Sequence, residues 1–114
     1  GVKGQTNRNL MSDWVKTYTI CGSMKFAEDM KKIAYDLEIS KGYMNNILQC
    51  VYCEDNIVPT EDELLKLEDA HYRKIDLSDG IYVVNMDGYI GTSVKKEIEY
   101  AERHGKEVLY HYNQ

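Results

Sequence analysis

The sequence predicts a single α/β domain in which a parallel sheet of four or five strands lies between two layers of helices. The chain has 114 residues, which is too few to form two separate hydrophobic cores. From Thr17 onward, short β-branched or aromatic runs alternate with longer segments of helical period, a pattern typical of parallel β-α-β units. The run IYVVN at residues 81–85 is almost continuously apolar, as expected of a central strand that helices cover on both faces.

The first half of the domain is predicted to contain two strands and the starts of two helices. Residues 17–21 form the first strand, and a helix follows whose apolar residues recur at helical spacing: Phe26, Met30, Ile33, Ala34 and Leu37. Gly42 follows the end of this helix, and residues 47–53 form the second strand. Thr60 and Glu63 have the spacing of a capping box, so the second helix is predicted to begin at about Glu61.

The second half is predicted to contain two strands joined by one helix. Residues 81–85 form the third strand, the final helix runs from about residue 92 to 103, and residues 108–112 form the last strand. The resulting order, β-α-β-α-β-α-β, favours a Rossmann-like or flavodoxin-like three-layer sandwich. We assign residues 17–114 to this domain. Residues 1–16 are interpreted as an N-terminal extension or cloning remnant, because their first ten residues show no periodicity.

Charge and cysteine content restrict the class of partner. A net charge of −5 argues against a nucleic-acid polymer, which requires a basic surface, and no apolar run approaches the roughly 20 residues that span a bilayer. Three cysteines, an odd number, suit a reducing compartment better than a disulfide framework. Cys50 and Cys53 have CxxC spacing, but residues three apart on a strand face opposite sides, so we predict no metal site. We expect a cytoplasmic protein with a small-molecule partner.

Two loops are predicted to lie where a parallel sheet binds ligands, beyond the carboxyl ends of its strands. The first is Cys21-Gly22-Ser23, and the second, residues 85–93, contains the candidates Asn85, Asp87, Gly88, Tyr89, Gly91, Thr92 and Ser93. Glycines allow close backbone approach, hydroxyls and helix amides can hold an anionic oxygen, and the tyrosine could stack on a base. Each loop alone is equally compatible with an ordinary strand-to-helix turn that carries a helix cap.

Two ionisable residues are predicted to lie on apolar helix faces. Glu97 falls within the apolar arc of the last helix, which contains Val94, Ile98 and Ala101. A carboxylate on that face needs a hydrogen bond, an ion pair or a function, unless it is a boundary residue whose carboxylate reaches solvent. His71 lies on the apolar stripe of the preceding helix, either as a satisfied core histidine or as a site residue.

Three segments carry motifs that are more specific than these patterns. They are YTICGSMKF at residues 18–26, KIDLSD at residues 74–79, and GYIGTS at residues 88–93 followed by Glu97-Ile98-Glu99-Tyr100-Ala101. The last segment is similar to a glycine loop followed by Glu-Leu-Gly-Tyr-Ala and is the most specific match. Together, over roughly residues 17–112, the chain resembles the nucleoside 2-deoxyribosyltransferase-like superfamily, including its 2′-deoxynucleoside 5′-phosphate N-hydrolase branch.

The resemblance implies a hydrolase or transferase that acts on the N-glycosidic bond of a (deoxy)nucleoside or nucleoside 5′-monophosphate, without metal or cofactor. Glu97 would be the nucleophile that attacks the anomeric carbon, and the two loops would surround the sugar and phosphate. The family's catalytic aspartate falls in register with His71, so this histidine would stand in place of the group that assists the leaving base. The resemblance also implies a homo-oligomer, a dimer or higher.

Two other functions remain open at this point. A protein of the same fold could hold a nucleotide or an NAD derivative without turnover, if the partner of Glu97 is altered. A flavodoxin-like electron carrier would purify with bound yellow flavin. The feature that separates the enzyme from the binding protein is whether a second titratable group approaches Glu97 in space.

Overall fold

The computed structural model describes residues 15–40, 44–53 and 56–113. Its strands are β1 (Lys16–Gly22), β2 (Met44–Leu48), β3 (Gly80–Val84) and β4 (Glu107–Tyr110). Its α-helices are α1 (Ala27–Ile39), α2 (Glu61–Asp76) and α3 (Thr92–Arg103). All strand pairs are parallel, in the order β2-β1-β3-β4, so the predicted Rossmann-like or flavodoxin-like α/β fold is confirmed. Residues 1–14, which include most of the predicted extension, and Gly42 lie outside the described residues.

Helices cover both faces of the sheet and create two hydrophobic clusters. On one face α1 packs against a cluster formed by Tyr18, Ile20, Met30, Ala34, Ile47 and Val84. On the other face α2 and α3 pack against Cys21, Ile75, Ile81, Val83, Val94, Ile98 and Ala101. Successive side chains of a strand point to opposite faces, so Ile20 and Cys21 of β1 belong to different clusters. The second cluster lies directly beneath the candidate catalytic residues.

Helix α2 begins where its capping residues predict. The Thr60 hydroxyl accepts a hydrogen bond from the Glu63 backbone N–H at 3.2 Å, and the Glu63 carboxylate accepts one from the Thr60 N–H at 2.9 Å. Both halves of the capping box are therefore formed. The helix continues to Asp76, and this length carries His71 to the buried face of the sheet.

The second strand was predicted at residues 47–53, and this predicted position was wrong. Strand β2 spans Met44–Leu48, and its hydrogen bonding to β1 sets those limits, with Lys16 opposite Met44 and Thr19 opposite Leu48. The β-branched and aromatic residues that suggested a later strand lie beyond this pairing, where Val51 is 61% exposed. The third and fourth strands each begin one residue earlier than predicted, and the fourth ends two residues earlier, at Tyr110.

The direction of chain progression across the sheet reverses between β1 and β3. Helix α1 leads from β1 to β2 at one edge, and α2 then returns the chain to β3 on the other side of β1. Gly22 lies opposite Val84 at the carboxyl ends of these two central strands, so the loops that follow them are adjacent. Such a reversal is where open parallel sheets bind ligands. None of the described helices is both long and apolar enough to cross a membrane.

Candidate active site

The segment that follows the first predicted loop contacts the second predicted loop across the switch between β1 and β3. The Lys25 ammonium lies 3.3 Å from the centre of the Tyr89 ring, and the rings of Phe26 and Tyr89 meet edge to face at 5.9 Å. A cation over an aromatic face and an edge-to-face ring pair are both attractive arrangements. Tyr89 is nevertheless 46% exposed, so its ring joins the loops while keeping a surface open to solvent.

Gly22 is needed for close packing at the end of β1. A Cβ atom at this position would lie 3.0 Å from the Met30 sulfur and 3.2 Å from the Val84 carbonyl oxygen. The close approach predicted at Gly22 is therefore made by Met30 and Val84 of the protein itself. Ser23, the next residue, accepts a hydrogen bond from the Lys25 N–H at 3.4 Å and caps a short 3-10 helix, Met24–Phe26.

The loop after β3 contains two consecutive residues in the left-handed region. Asp87 has φ 55° and Gly88 has φ 77°, within the 3-10 helix Met86–Gly88. No atom lies within 4 Å of a Cβ built on Gly88, so backbone conformation rather than space favours glycine there. Asp87 tolerates this conformation better than most residues, at a cost of order 1–3 kcal/mol that surrounding structure must offset. Both residues are exposed.

Helix α3 begins at the same edge without a side-chain cap. Gly91 is its N-cap residue and makes no side-chain hydrogen bond to the first turn. Thr92 and Ser93 are exposed at the start of the helix. The first backbone N–H groups of the helix therefore have no side-chain acceptor. An anionic oxygen at the loop edge could accept hydrogen bonds from them.

Asn85 differs from the other loop residues because its side chain is fully buried. Its amide N–H donates to the Tyr112 carbonyl at 2.8 Å, and its amide oxygen accepts from the Tyr112 N–H at 2.8 Å. The side chain therefore holds the segment after β4 against the end of β3. Its part in the site is to position the loop, since its amide is already engaged.

Glu97 and His71 meet beneath the two loops. Oε1 of Glu97, on α3, lies 3.1 Å from Nε2 of His71, on α2. Their side chains are only 12% and 10% exposed, respectively. Glu97 is therefore not a boundary residue whose carboxylate extends into solvent. A second titratable group, His71, does approach Glu97 in space.

Cys21 is the third member of this cluster. Its sulfur lies 3.4 Å from the same Nε2 of His71, and the residue is 1% exposed. Burial, and next the charge of Glu97, raise the pKa of the Cys21 thiol well above its ordinary value. The sequence placed Cys21 among the loop residues and missed its contact with His71. Strand alternation signals only the face of the sheet, because it directs Cys21 to the side that α2 and α3 cover.

His71 uses only one of its two ring nitrogens within the cluster. Both Cys21 and Glu97 approach Nε2, whereas the buried Nδ1 has no hydrogen-bond partner among the described residues. A histidine that relays a proton between a thiol and a carboxylate would use a different nitrogen for each. The arrangement is therefore a convergence of three side chains on one point rather than a relay.

Two surface grooves lie outside this cluster. An open groove of about 610 Å³ separates the outer surfaces of α2 and α3 and is lined by Asp69, Tyr72, Arg73, Asp76, Lys96, Glu99, Tyr100 and Arg103. A smaller, more apolar one of about 300 Å³ involves Cys53, Ile57, Pro59 and Leu67. Neither contains the three converging residues. We place the candidate active site at the buried cluster because reactive groups meet there, whereas the larger groove is an opening between charged helix faces.

Comparison of the chain with protein-family models, with curated proteins and with solved structures gave no match. The functional argument therefore depends on the geometry of this cluster, on its location beneath the switch between β1 and β3, and on the motif resemblance.

Proposed function

We propose that this protein cleaves or transfers the N-glycosidic bond of a (deoxy)nucleoside or nucleoside 5′-monophosphate, with Glu97 as the nucleophile. The observation that carries the proposal is the pairing of the Glu97 carboxylate with His71 at 3.1 Å, beneath the loops that follow β1 and β3. A carboxylate enclosed by protein is expensive unless it is hydrogen-bonded. His71 satisfies that need and orients the carboxylate.

In the proposed reaction, a Glu97 oxygen attacks the anomeric carbon while the bond from that carbon to the base nitrogen breaks. The electron pair of the broken bond leaves with the base, which takes up a proton. The glycosyl ester on Glu97 is then resolved by water, giving hydrolysis, or by a second base, giving transfer. His71 lies 3.1 Å from Glu97 and can donate and accept protons, and it would stabilise the carboxylate when it is released again.

The loops supply the contacts that such a substrate needs. The uncapped N–H groups at the start of α3 can donate hydrogen bonds to a phosphate oxygen or a sugar hydroxyl oxygen, despite the net charge of −5 of the chain. The exposed face of Tyr89 can stack on a base, and Lys25 beside it contributes a positive charge. These contacts suit a small anionic ligand with an aromatic ring, and the nucleoside 5′-monophosphates among the proposed substrates belong to that class.

A second function, binding of a nucleotide or NAD derivative without turnover, is favoured by one observation. The Glu97 side chain is only 12% exposed and is held by His71, so little of its carboxylate is open to a glycosyl carbon. In a binding protein the same pair would instead support the walls of a pocket, with the Tyr89 loop making the contacts.

The deciding experiment measures free base by chromatography after incubation with nucleosides, nucleoside 5′-monophosphates and NAD. We expect wild-type protein to release base from at least one of them and Glu97→Ala to release none while keeping its circular dichroism spectrum. Glu99→Ala is the matched control, since Glu99 lies on the same helix and is exposed. Equal release by Glu97→Ala and wild type would exclude Glu97 as the nucleophile. No release from any compound, with thermal stabilisation by one, would favour the binding function.

A further inference from the structure

The cluster beneath the loops brings together three different kinds of metal ligand. Cys21 offers a sulfur, His71 an imidazole nitrogen and Glu97 a carboxylate oxygen, and these three atoms all lie within 4.8 Å of one another. They come from β1, α2 and α3, so only the folded chain assembles them. Each side chain is close to nine-tenths buried or more, which excludes the ordinary case of acidic groups crowded on a surface.

The distances within the cluster fit a tetrahedral ion. With bonds of about 2.3 Å to sulfur and about 2.0 Å to nitrogen, a zinc ion separates a sulfur and a nitrogen ligand by about 3.5 Å, and a nitrogen and an oxygen ligand by about 3.3 Å. The observed separations are 3.4 Å from the Cys21 sulfur to His71 Nε2, and 3.1 Å from that nitrogen to the Glu97 oxygen. Both lie within about 0.2 Å of these values, and the third separation, from the Cys21 sulfur to the Glu97 oxygen, is at most 4.8 Å.

The use of a single histidine nitrogen points the same way. Nε2 faces both other side chains, with the Cys21 sulfur at 3.4 Å and the Glu97 oxygen at 3.1 Å. Two contacts at one nitrogen are what an ion located between the three atoms would require.

We propose that Cys21, His71 and Glu97 bind a divalent cation of the zinc class, with a fourth coordination position open. A thiolate and an imidazole favour zinc over magnesium or calcium, which prefer oxygen ligands. On binding, the Cys21 thiol releases its proton to solvent and the new sulfur–metal bond replaces the S–H bond. The thiolate and the carboxylate then carry two negative charges that the ion balances, so the buried cluster is neutral.

The metal site does not depend on the proposed glycosidic activity. The two are linked in one respect only, because the Glu97 oxygen that would bind the ion is the one that would attack the sugar. A molecule with zinc bound is therefore expected to release no base, and a chelator is expected to restore the activity. Metal binding is measured by visible absorption, independently of base release.

The test is titration of Co²⁺ into the full chain after treatment with a chelator and a reductant. We expect one equivalent to produce the strong visible bands of a tetrahedral ion and a near-ultraviolet thiolate-to-cobalt band, both removed by one equivalent of Zn²⁺. Cys21→Ser should lose the thiolate band, and Glu97→Gln, which keeps the thiol, should weaken binding by at least about 10-fold. Cys53→Ser alters an exposed cysteine outside the cluster and should bind as wild type does.

Circular dichroism of each variant separates loss of the site from loss of the fold, and if Cys21→Ser does not fold, Glu97→Gln decides the question. Weak octahedral absorption without a thiolate band would indicate adventitious surface binding and would overturn the proposal. Wild-type spectra and affinity in Glu97→Gln would overturn it as well. Base release and cobalt absorption are measured separately, so either proposal can fail alone.

Discussion

Glu97 and His71 lie on helices that follow different strands, and the 3.1 Å contact between their side chains is almost fully withdrawn from solvent. Each side chain therefore depends on the other for a polar contact, and His71 has one further contact, with the Cys21 sulfur. Removal of either one takes a partner from a buried polar group, whereas removal of both leaves only the Cys21 thiol, which also contacts the Thr19 carbonyl oxygen at 3.8 Å.

This dependence predicts strong coupling in a double-mutant cycle. His71→Leu and Glu97→Leu should each lower the free energy of unfolding by about 1–3 kcal/mol, and the double variant should lose less than the sum, with a coupling of about 0.5–3 kcal/mol. Urea unfolding at neutral pH measures all four proteins. Lys66 and Asp62 form the matched exposed pair, 3.0 Å apart, whose coupling should not exceed about 0.5 kcal/mol. Additive losses at Glu97 and His71 would show that the two side chains do not support each other.

Gly80 is expected to be essential for pairing between β3 and β4. A Cβ atom there would lie 2.4 Å from the Glu107 carbonyl oxygen and 2.9 Å from the Tyr18 ring. Gly80→Ala should therefore lower the free energy of unfolding by at least about 1–3 kcal/mol, because backbone atoms must move apart. Gly91→Ala is the control, since φ is −76° there and the nearest atom lies at 3.5 Å, and it should cost less than about 1 kcal/mol. Equal denaturant midpoints for the two variants would contradict this account.

The protein is expected to lose stability at alkaline pH. Burial, and next a hydrogen bond to Glu107, raise the pKa of Tyr18, a residue that is 2% exposed. Burial also raises the pKa of Tyr52. Because each folded pKa lies above the unfolded value, the stabilisation is complete below pH about 10 and is lost as pH rises through the folded pKa.

Thermal unfolding between neutral pH and pH about 11 measures this loss. Tyr18→Phe cannot ionise at that position, so its melting temperature should fall less steeply above pH about 10 than that of wild type. Tyr35→Phe alters a tyrosine that is 65% exposed and should follow the wild-type curve. Identical slopes for Tyr18→Phe and wild type would mean that Tyr18 does not contribute to alkaline unfolding.

Local sequence patterns were sufficient to predict where α2 and α3 begin. The capping box at Thr60 and Glu63 and the apolar arc of α3 depend on residues three or four apart, and both helices begin where these predict. Strand β2 was misplaced because its limits depend on hydrogen bonds to β1, which lies far away in the sequence. Apolar and β-branched residues near Val51 have the composition of a strand but no strand to pair with among the described residues.

Local patterns also predicted only part of the candidate site. The apolar periodicity of α3 predicted that Glu97 would face inward, and the stripe of α2 predicted the same of His71. Their mutual contact, and the approach of Cys21 to the same nitrogen, depend on how two helices sit on one face of the sheet. No local pattern encodes that placement. Asn85 was expected to line a cleft, and its engagement with Tyr112 also follows from contact between distant segments.

The strand order has a consequence for how the molecule folds. Strand β1 pairs with β3, which lies far downstream, so the central pair of the sheet forms only after a long loop closes. Cys21, His71 and Glu97 come from three successive parts of the chain, and their cluster is complete only when α3 has docked. Until then the Cys21 thiol is open to solvent and to oxidants. Accessibility of this one thiol to an alkylating reagent therefore distinguishes molecules that have finished folding from those that have not.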